Sequence, residues 1–425
     1  MGNPSFARLR VLDLSRYLPG GYATQVLADL GADVVKVEDV GLGDFCRHER
    51  PQRGGMSYYI EALGRNKRSV ALDLKDEEAH AAFLKLAEGA DVVVESFRPG
   101  VTKKLGIDYE ALAAANPRLV YCSLSGYGQD DPRSQQPLHD LNMQAQSGYL
   151  SLNGGVKAPL HLCDLASSMV AAQSVLAALY DREITGEGRF IDVSMYDSFV
   201  WWNSLIDERW CFQGGIDEST VIYPADCCFY NIYETRDGGK LAFGLIEDKF
   251  WTSFCEAAGV PELASKPAGA YERMRELVAS RTREEWEEWL VGKDLCIASV
   301  IDKEEAIAQL LEREPDMMAY RDFPRAGRVL QTNLPHDIAG MRPSIDAFAE
   351  APAHGEHTAA VLAEAGLCFL VPIRPIVWVG GNQGQGITPR PDLIITPLKH
   401  HAAPIHEENR SKLWQEENIL SMLGM

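Results

Sequence analysis

Short apolar runs alternate with stretches of helical spacing over the first 200 residues. Residues 10–14 (RVLDL) form an apolar run of the kind a buried strand presents. Residues 20–30 (GGYATQVLADL) follow, with Ala23, Val26, Leu27 and Leu30 on one helix face. Gly31 stands where a helix C-cap is expected, and residues 33–38 (DVVKVE) predict the next strand. A strand–loop–helix–strand unit of this kind opens a parallel α/β sheet. The pattern recurs. Residues 68–74 (RSVALDL), 91–94 (DVVV), 119–124 (LVYCSL) and 189–195 (RFIDVSM) predict strands. Residues 76–88 predict a helix with acids in its first turn, where the macrodipole favours them, and residues 165–180 predict a long apolar helix.

From about Trp201 the texture changes. Residues 229–233 and 240–244 flank Arg236-Asp237-Gly238-Gly239, a hairpin signal, and helices are predicted over 281–291 and 303–313. Residues 225–325 therefore read as a second, smaller α+β domain. Beyond Phe323 prolines accumulate (Pro335, Pro343, Pro352, Pro372, Pro375) and periodicity fades, apart from a helix over 357–365. Residues 326–425 read as a segment that wraps over other surfaces.

Composition narrows the function classes. The 425 residues carry 41 Lys+Arg against 61 Asp+Glu, a formal charge of −20. Such a chain is a poor binder of nucleic acid, which needs clustered Lys/Arg, and of anionic membranes. An anionic ligand would need a local basic site set against the global field. Nine scattered cysteines without a CxxC pair read as reduced thiols, hence a cytoplasmic compartment. The N-terminus lacks the basic start and apolar core of a signal peptide. No apolar run approaches the roughly 20 residues that span a bilayer.

Ligands of open α/β sheets sit at the carboxyl ends of strands. That rule nominates Arg16 and Tyr17 after the first strand, Lys75 after the third, Ser96, Phe97, Arg98 and Lys104 after the fourth, and Ser125, Gly126 and Tyr127 after the fifth. Together the cations would make the local basic rim that an anion requires. Gly20-Gly21 is no dinucleotide fingerprint, so a nicotinamide cofactor is not expected. Three further positions draw attention. His139, followed by Asp140, lies at a loop boundary where a general base is plausible. Asp164 sits among small and apolar residues at the start of the long helix, as an N-cap or as a reactive carboxylate. Glu247 precedes a helix and reads equally as a cap.

These segments resemble one family. RVLDLSRYLPGGYATQVLADLGADVVKVE, NKRSVALDLK, DVVVESFRPGVTKKLGIDYEAL, NPRLVYCSLSGYGQ, HDLNMQAQSGYLSL, TGEGRFIDVSMYD and GEHT are similar to the class III CoA-transferases, which include the α-methylacyl-CoA racemases. The resemblance covers about residues 8 to 365. It implies a Rossmann-like large domain begun by residues 1–200, a small domain, a C-terminal return, and two chains interlocked as a homodimer. It implies a CoA thioester as substrate, with no permanently bound cofactor and no metal, held by the strand-end residues above together with Leu72. Two chemistries compete within it. In the racemases, a His–Glu pair matching His139 and Glu247 faces an Asp matching Asp164 across the substrate's α-carbon. In the transferases, the same Asp attacks the thioester and passes CoA to a carboxylic acid acceptor. The glycine run of formyl-CoA-type transferases is missing around Gly244–Glu247, which favours the racemase. Leu138, Met143 and the stretch Val193–Asp197 depart from the racemase pattern. A non-catalytic CoA-binding protein is the remote third reading.

Overall fold

The computed structural model describes residues 6–215, 223–336, 338 and 341–367. The glycine-rich stretch 380–386 and the prolines from Pro372 onward lie outside these described residues.

The alternating first half forms β1 (Arg10–Leu14), α1 (Tyr17–Asp29), β2 (Asp33–Glu38), β3 (Arg68–Ala71), β4 (Val92–Glu95), β5 (Val120–Ser125), α2 (Asp140–Gln146), α3 (Leu162–Thr185) and β6 (Arg189–Ser194). The strands make one parallel sheet in the order β3-β2-β1-β4-β5-β6. Both faces are covered, which is why the strands read as continuous apolar runs rather than alternating ones. One apolar layer joins Leu12, Val35, Val70 and Val93 to Phe83, Ile107 and Leu112. The opposite layer joins Val11, Val34, Val92 and Val120 to Leu27 of α1 and Val175 of α3.

Two helices extend past the spacing that predicted them. α1 begins at Tyr17, three residues early, and takes Gly20 inside. A Cβ on Gly20 would lie 2.2 Å from the Cβ of Ser15, so only glycine lets the helix pass this close to the β1 loop. α3 runs for 24 residues and is long and apolar enough to cross a membrane, contrary to the expectation of no such run. Half of its apolar window is buried in this fold, so packing accounts for the composition.

α4 (Met195–Trp202) and α5 (Ser204–Gln213) follow β6. Then a three-stranded antiparallel sheet forms from β7 (Tyr230–Glu234), β8 (Lys240–Gly244) and β9 (Ile297–Ser299), with α6 (Asp248–Ala257) against it. It has its own core of Tyr233, Phe243, Trp251, Phe254, Met274 and Trp286. Both indoles are satisfied while buried: Trp251 Nε1 donates to Leu263 O and Trp286 Nε1 to Val278 O, each at 2.9 Å. A hairpin of β10 (Met318–Phe323) and β11 (Gly327–Thr332) escaped the sequence pattern and straddles residue 325. Its Phe323 and Ala326 pack with Cys46, Met56 and Ile60 of the first half.

α7 (Thr358–Glu364) closes against β3. His357 N–H donates to Ser69 O at 2.8 Å, Ala71 N–H donates to Thr358 Oγ1 at 3.0 Å, and Val361 and Leu362 join the apolar layer. Glu364 bridges Arg10 at 2.8 Å and Arg68 at 2.7 Å.

Candidate active site

The strand order reverses between β1 and β4, and the helices that follow these two strands cover opposite faces. Their carboxyl ends therefore border the crevice where open sheets bind ligands. Arg16 N–H donates to Ser96 Oγ at 2.8 Å. The Arg16 guanidinium lies 5.2 Å from the ring centre of Phe45 and 5.5 Å from that of Phe97. Phe97 N–H in turn donates to Glu95 Oε2 at 2.7 Å. Glu95 is buried, and burial raises its carboxyl to about 7. Three of the nominated residues, Arg16, Ser96 and Phe97, thus form one contiguous surface.

Tyr17 adopts φ +58°, a left-handed conformation uncommon for an aromatic residue. It is held by stacking on Phe45 at 5.6 Å, an edge contact with Tyr59 at 6.4 Å, and an N–H bond to Asp44 Oδ1 at 3.3 Å. Asp44 is fixed from below by Lys36 Nζ at 2.7 Å, and Lys36 also donates to Ser15 O at 2.8 Å. Beside it, buried Asp13 accepts from Lys67 Nζ at 3.0 Å and Thr24 Oγ1 at 2.7 Å. Burial alone would raise the Asp13 carboxyl, but Lys36, Lys67 and two hydroxyls hold it well below the usual range. A buried, satisfied network of this kind fixes loop geometry. Here it anchors the loop that presents Arg16 and Tyr17.

The second half of the site lies at the first turn of α3. Asp140, buried on α2, accepts N–H bonds from Cys163 at 2.7 Å and Asp164 at 3.3 Å through Oδ1, and its other oxygen accepts from Gln144. It satisfies helix amides that a cap residue would otherwise take. Asp164 is therefore no N-cap but a first-turn residue with its carboxyl free of that task. Burial first, and the Asp140 charge second, push Asp164 up to about 7. His161, at the N-cap position of α3, brings Nδ1 to 3.8 Å from Asp140 Oδ2 while 62% of its side chain stays exposed. One ligating atom each from Asp140, His161 and Asp164 lie within 4.8 Å of one another. Asp140 already accepts from Cys163, Asp164 and Gln144, which leaves Asp164 and His161 as the members of the cluster with side chains not used in those bonds. Tyr59, raised mainly by burial, also feels the Asp164 charge, which ties this cluster to the Tyr17–Phe45 wall.

The remaining nominated residues are placed as follows. Ser125 is buried at the end of β5, and its Oγ finds no partner among the described residues. Gly126 faces Leu138, whose Cδ2 would lie 2.3 Å from a Cβ there. Tyr127 packs under the Arg133 guanidinium at 4.1 Å. Arg98 is half-buried, Lys75 is exposed on a strand-end loop, and Lys104 is exposed on the short helix Val101–Leu105. Leu72 is buried in the apolar layer and donates its N–H to Glu38 O at 2.8 Å, so its backbone carbonyl is what it can offer a ligand. His139 is exposed at the N-cap of α2, its N–H bonded to Asn142 Oδ1 at 3.0 Å. Glu247 is exposed at the N-cap of α6. Among the described residues no hydrogen bond or ion pair joins Glu247 to His139 or Asp164. Sequence reasoning did not single out His161, Phe45 or Tyr59. Only the three-residue offset of His161 from Asp164, one helical turn, hinted at a shared face.

Comparison with known proteins places these features in a family. The model of CoA-transferase family III matches residues 6–358. The succinyl-CoA:mesaconate CoA-transferase of Haloarcula hispanica is 38% identical over 282 residues, 60% of this chain and 68% of that protein. The human α-methylacyl-CoA racemase is 32% identical over 384 residues, 84% of this chain and 92% of that protein. Among solved structures, a CaiB/BaiF family protein from Brucella suis aligns with a TM-score of 0.73 at 25% identity, over 86% of this chain and all of that one.

Proposed function

The chain belongs to CoA-transferase family III, and from that premise we propose that it is an acyl-CoA enzyme that moves the α-proton of a 2-methylacyl-CoA, a racemase. The observation that carries this reading is Asp164, a carboxyl whose proton is poised near neutrality. A group that gives and takes a proton is most effective when its pKa lies near the working pH. A thioester α-proton is weakly acidic, so inversion needs an acid–base group on each face and stabilisation of the enolate between them. Asp164 supplies one face. His139 with Glu247 is the proposed other face. Glu247 stands on the antiparallel-sheet half of the chain, without a described contact to His139 or Asp164, so this face calls for closure or a second copy. The N-terminus of α1, which carries no side-chain cap, offers partial positive charge beside Tyr17. Arg16, Tyr17, the backbone of Leu72, Lys75, Ser96, Phe97, Arg98, Lys104 and Ser125–Tyr127 are the proposed CoA contacts.

A second reading is favoured by the relatives at 36–38% identity, which are CoA-transferases. In it Asp164, ionised, attacks the thioester carbonyl and expels CoA thiolate as a mixed anhydride forms. The thiolate attacks the Asp164 carbonyl, releasing the donor acid as carboxylate. The acceptor carboxylate then displaces the thiolate to form a second anhydride, and the thiolate attacks its acceptor carbonyl, giving the new acyl-CoA and free Asp164. The test is to incubate (R)-2-methylacyl-CoA with the protein in deuterated water, alone and with a free carboxylic acid. Deuterium at Cα without acceptor supports the racemase. A new acyl-CoA formed only with acceptor supports the transferase.

We further propose a homodimer. Trp201, Trp202, Leu205, Trp210 and Phe212 of α4 and α5 are all exposed in the single chain, Phe212 at 89%. Large apolar side chains left exposed on two successive helices are what an interface between copies would cover. Among the described residues no disulfide joins the cysteines, which supports the cytoplasmic setting proposed from their scattered spacing.

A further inference from the structure

The Asp164 carboxyl is not alone at the first turn of α3. His161 lies one turn before Asp164 on α3, with Nδ1 3.8 Å from Asp140 Oδ2, and the three groups converge within 4.8 Å. We propose that His161 is a positioning residue that sets the charge state of Asp164, its imidazolium offsetting the Asp140 carboxylate so that Asp164 can ionise. This rests on the reading of Asp164 given above and adds a residue to it.

The argument is geometric. Asp140 is locked: it is buried and bound by two α3 amides and by Gln144, so its charge cannot move away from Asp164. Two carboxylates this close resist joint ionisation. The titratable groups that face Asp164 are Asp140 from α2, Cys163 and His161 from α3, and Tyr59 from the helix Tyr58–Gly64. Tyr196, on α4, packs against the same turn. Burial raises Cys163 and Tyr59, so both stay neutral and neither offsets charge. His161 alone among these groups can carry a positive charge, and its exposed edge keeps it in exchange with solvent. Exposure also weakens its pull, so the coupling is moderate.

The test is the pH profile of kcat/KM for deuterium uptake at Cα, read for the wild type, His161→Gln and His161→Lys, with CoA transfer to an acid read in parallel. Without the imidazolium, the acid-side limb moves up by roughly half to one pH unit, and activity recovers toward the wild type at alkaline pH. His161→Lys, which keeps a charge, holds the limb at or below its wild-type position. A limb that stays put in His161→Gln, or a loss equal at every pH, overturns the proposal. Asp164→Asn is measured alongside. If that variant keeps full activity, the reading of Asp164 itself fails. If it is inactive while His161→Gln leaves the limb unmoved, only the role of His161 fails. His161 is on the surface, and a thermal melt of each variant confirms that it is folded.

Discussion

Asp164 concentrates the account at the scale of a single residue. Its carboxyl is raised from 3.8 to about 7, first by burial and then by Asp140. The folded state therefore holds a proton that the unfolded chain releases between these values. Stability from this group is complete below pH 3.8 and is lost as pH rises through 7. Asp164→Asn removes the ionisation, so the variant is expected to melt above the wild type at pH 8, by up to about 2–4 kcal/mol, with no difference near pH 4. Denaturant melts at the two pH values check the sign. His139→Ala is expected to lower Cα exchange at least about 100-fold while leaving the fold intact. Unchanged CoA transfer in that variant would move the assignment to the second reading. Asp164 was legible in the sequence because an acid among small residues at a helix start is unusual. The pairing of His139 with Asp140 was legible only as adjacency. Across the loop-to-helix boundary the first points to solvent and the second turns inward. His161 stayed hidden because its significance comes from Asp140, 21 positions earlier in the chain.

At the scale of elements, strand-end loops were readable because a parallel sheet places every carboxyl end on one edge. The bounds of β1, β2 and β6 followed the apolar runs to within a residue. The start of α1 and the full length of α3 did not. A glycine inside a helix and a helix that buries only one stripe both blur the expected signal. The β10–β11 hairpin was missed because its strands carry Arg, Asp and Gln where a pattern would look for apolar residues, Gln331 among them although it is buried. Joints between elements give a sharp prediction. A Cβ on Gly188, just before β6, would meet the carbonyl oxygen of Leu119 at 2.0 Å, and backbone cannot yield as a side chain can. Gly188→Ala is expected to cost about 2–4 kcal/mol or more, read as a lower urea midpoint, by the overpacking of β5 against β6.

The whole molecule carries two features that sequence arithmetic only outlined. A chain at −20 that is to hold an anionic thioester, the proposed substrate, must offer cations locally, and Arg16 stands at the crevice with Ser96, Phe45 and Phe97 around it. The apolar surface of α4 and α5 could not be told from core by composition, because Trp and Leu serve both. Light scattering at micromolar concentration is expected to give twice the chain mass of 47.0 kDa, and Trp210→Glu with Phe212→Glu to shift it toward the single-chain value. A monomer in the unmodified protein would remove the proposed interface. The central claim is that Asp164 carries the proton of an acyl-CoA reaction. Deuterium uptake at Cα of 2-methylacyl-CoA, compared between the wild type and Asp164→Asn, tests it most directly. The account predicts rapid uptake by the wild type and a fall of about 1000-fold or more in the variant. Equal uptake by both proteins would contradict it.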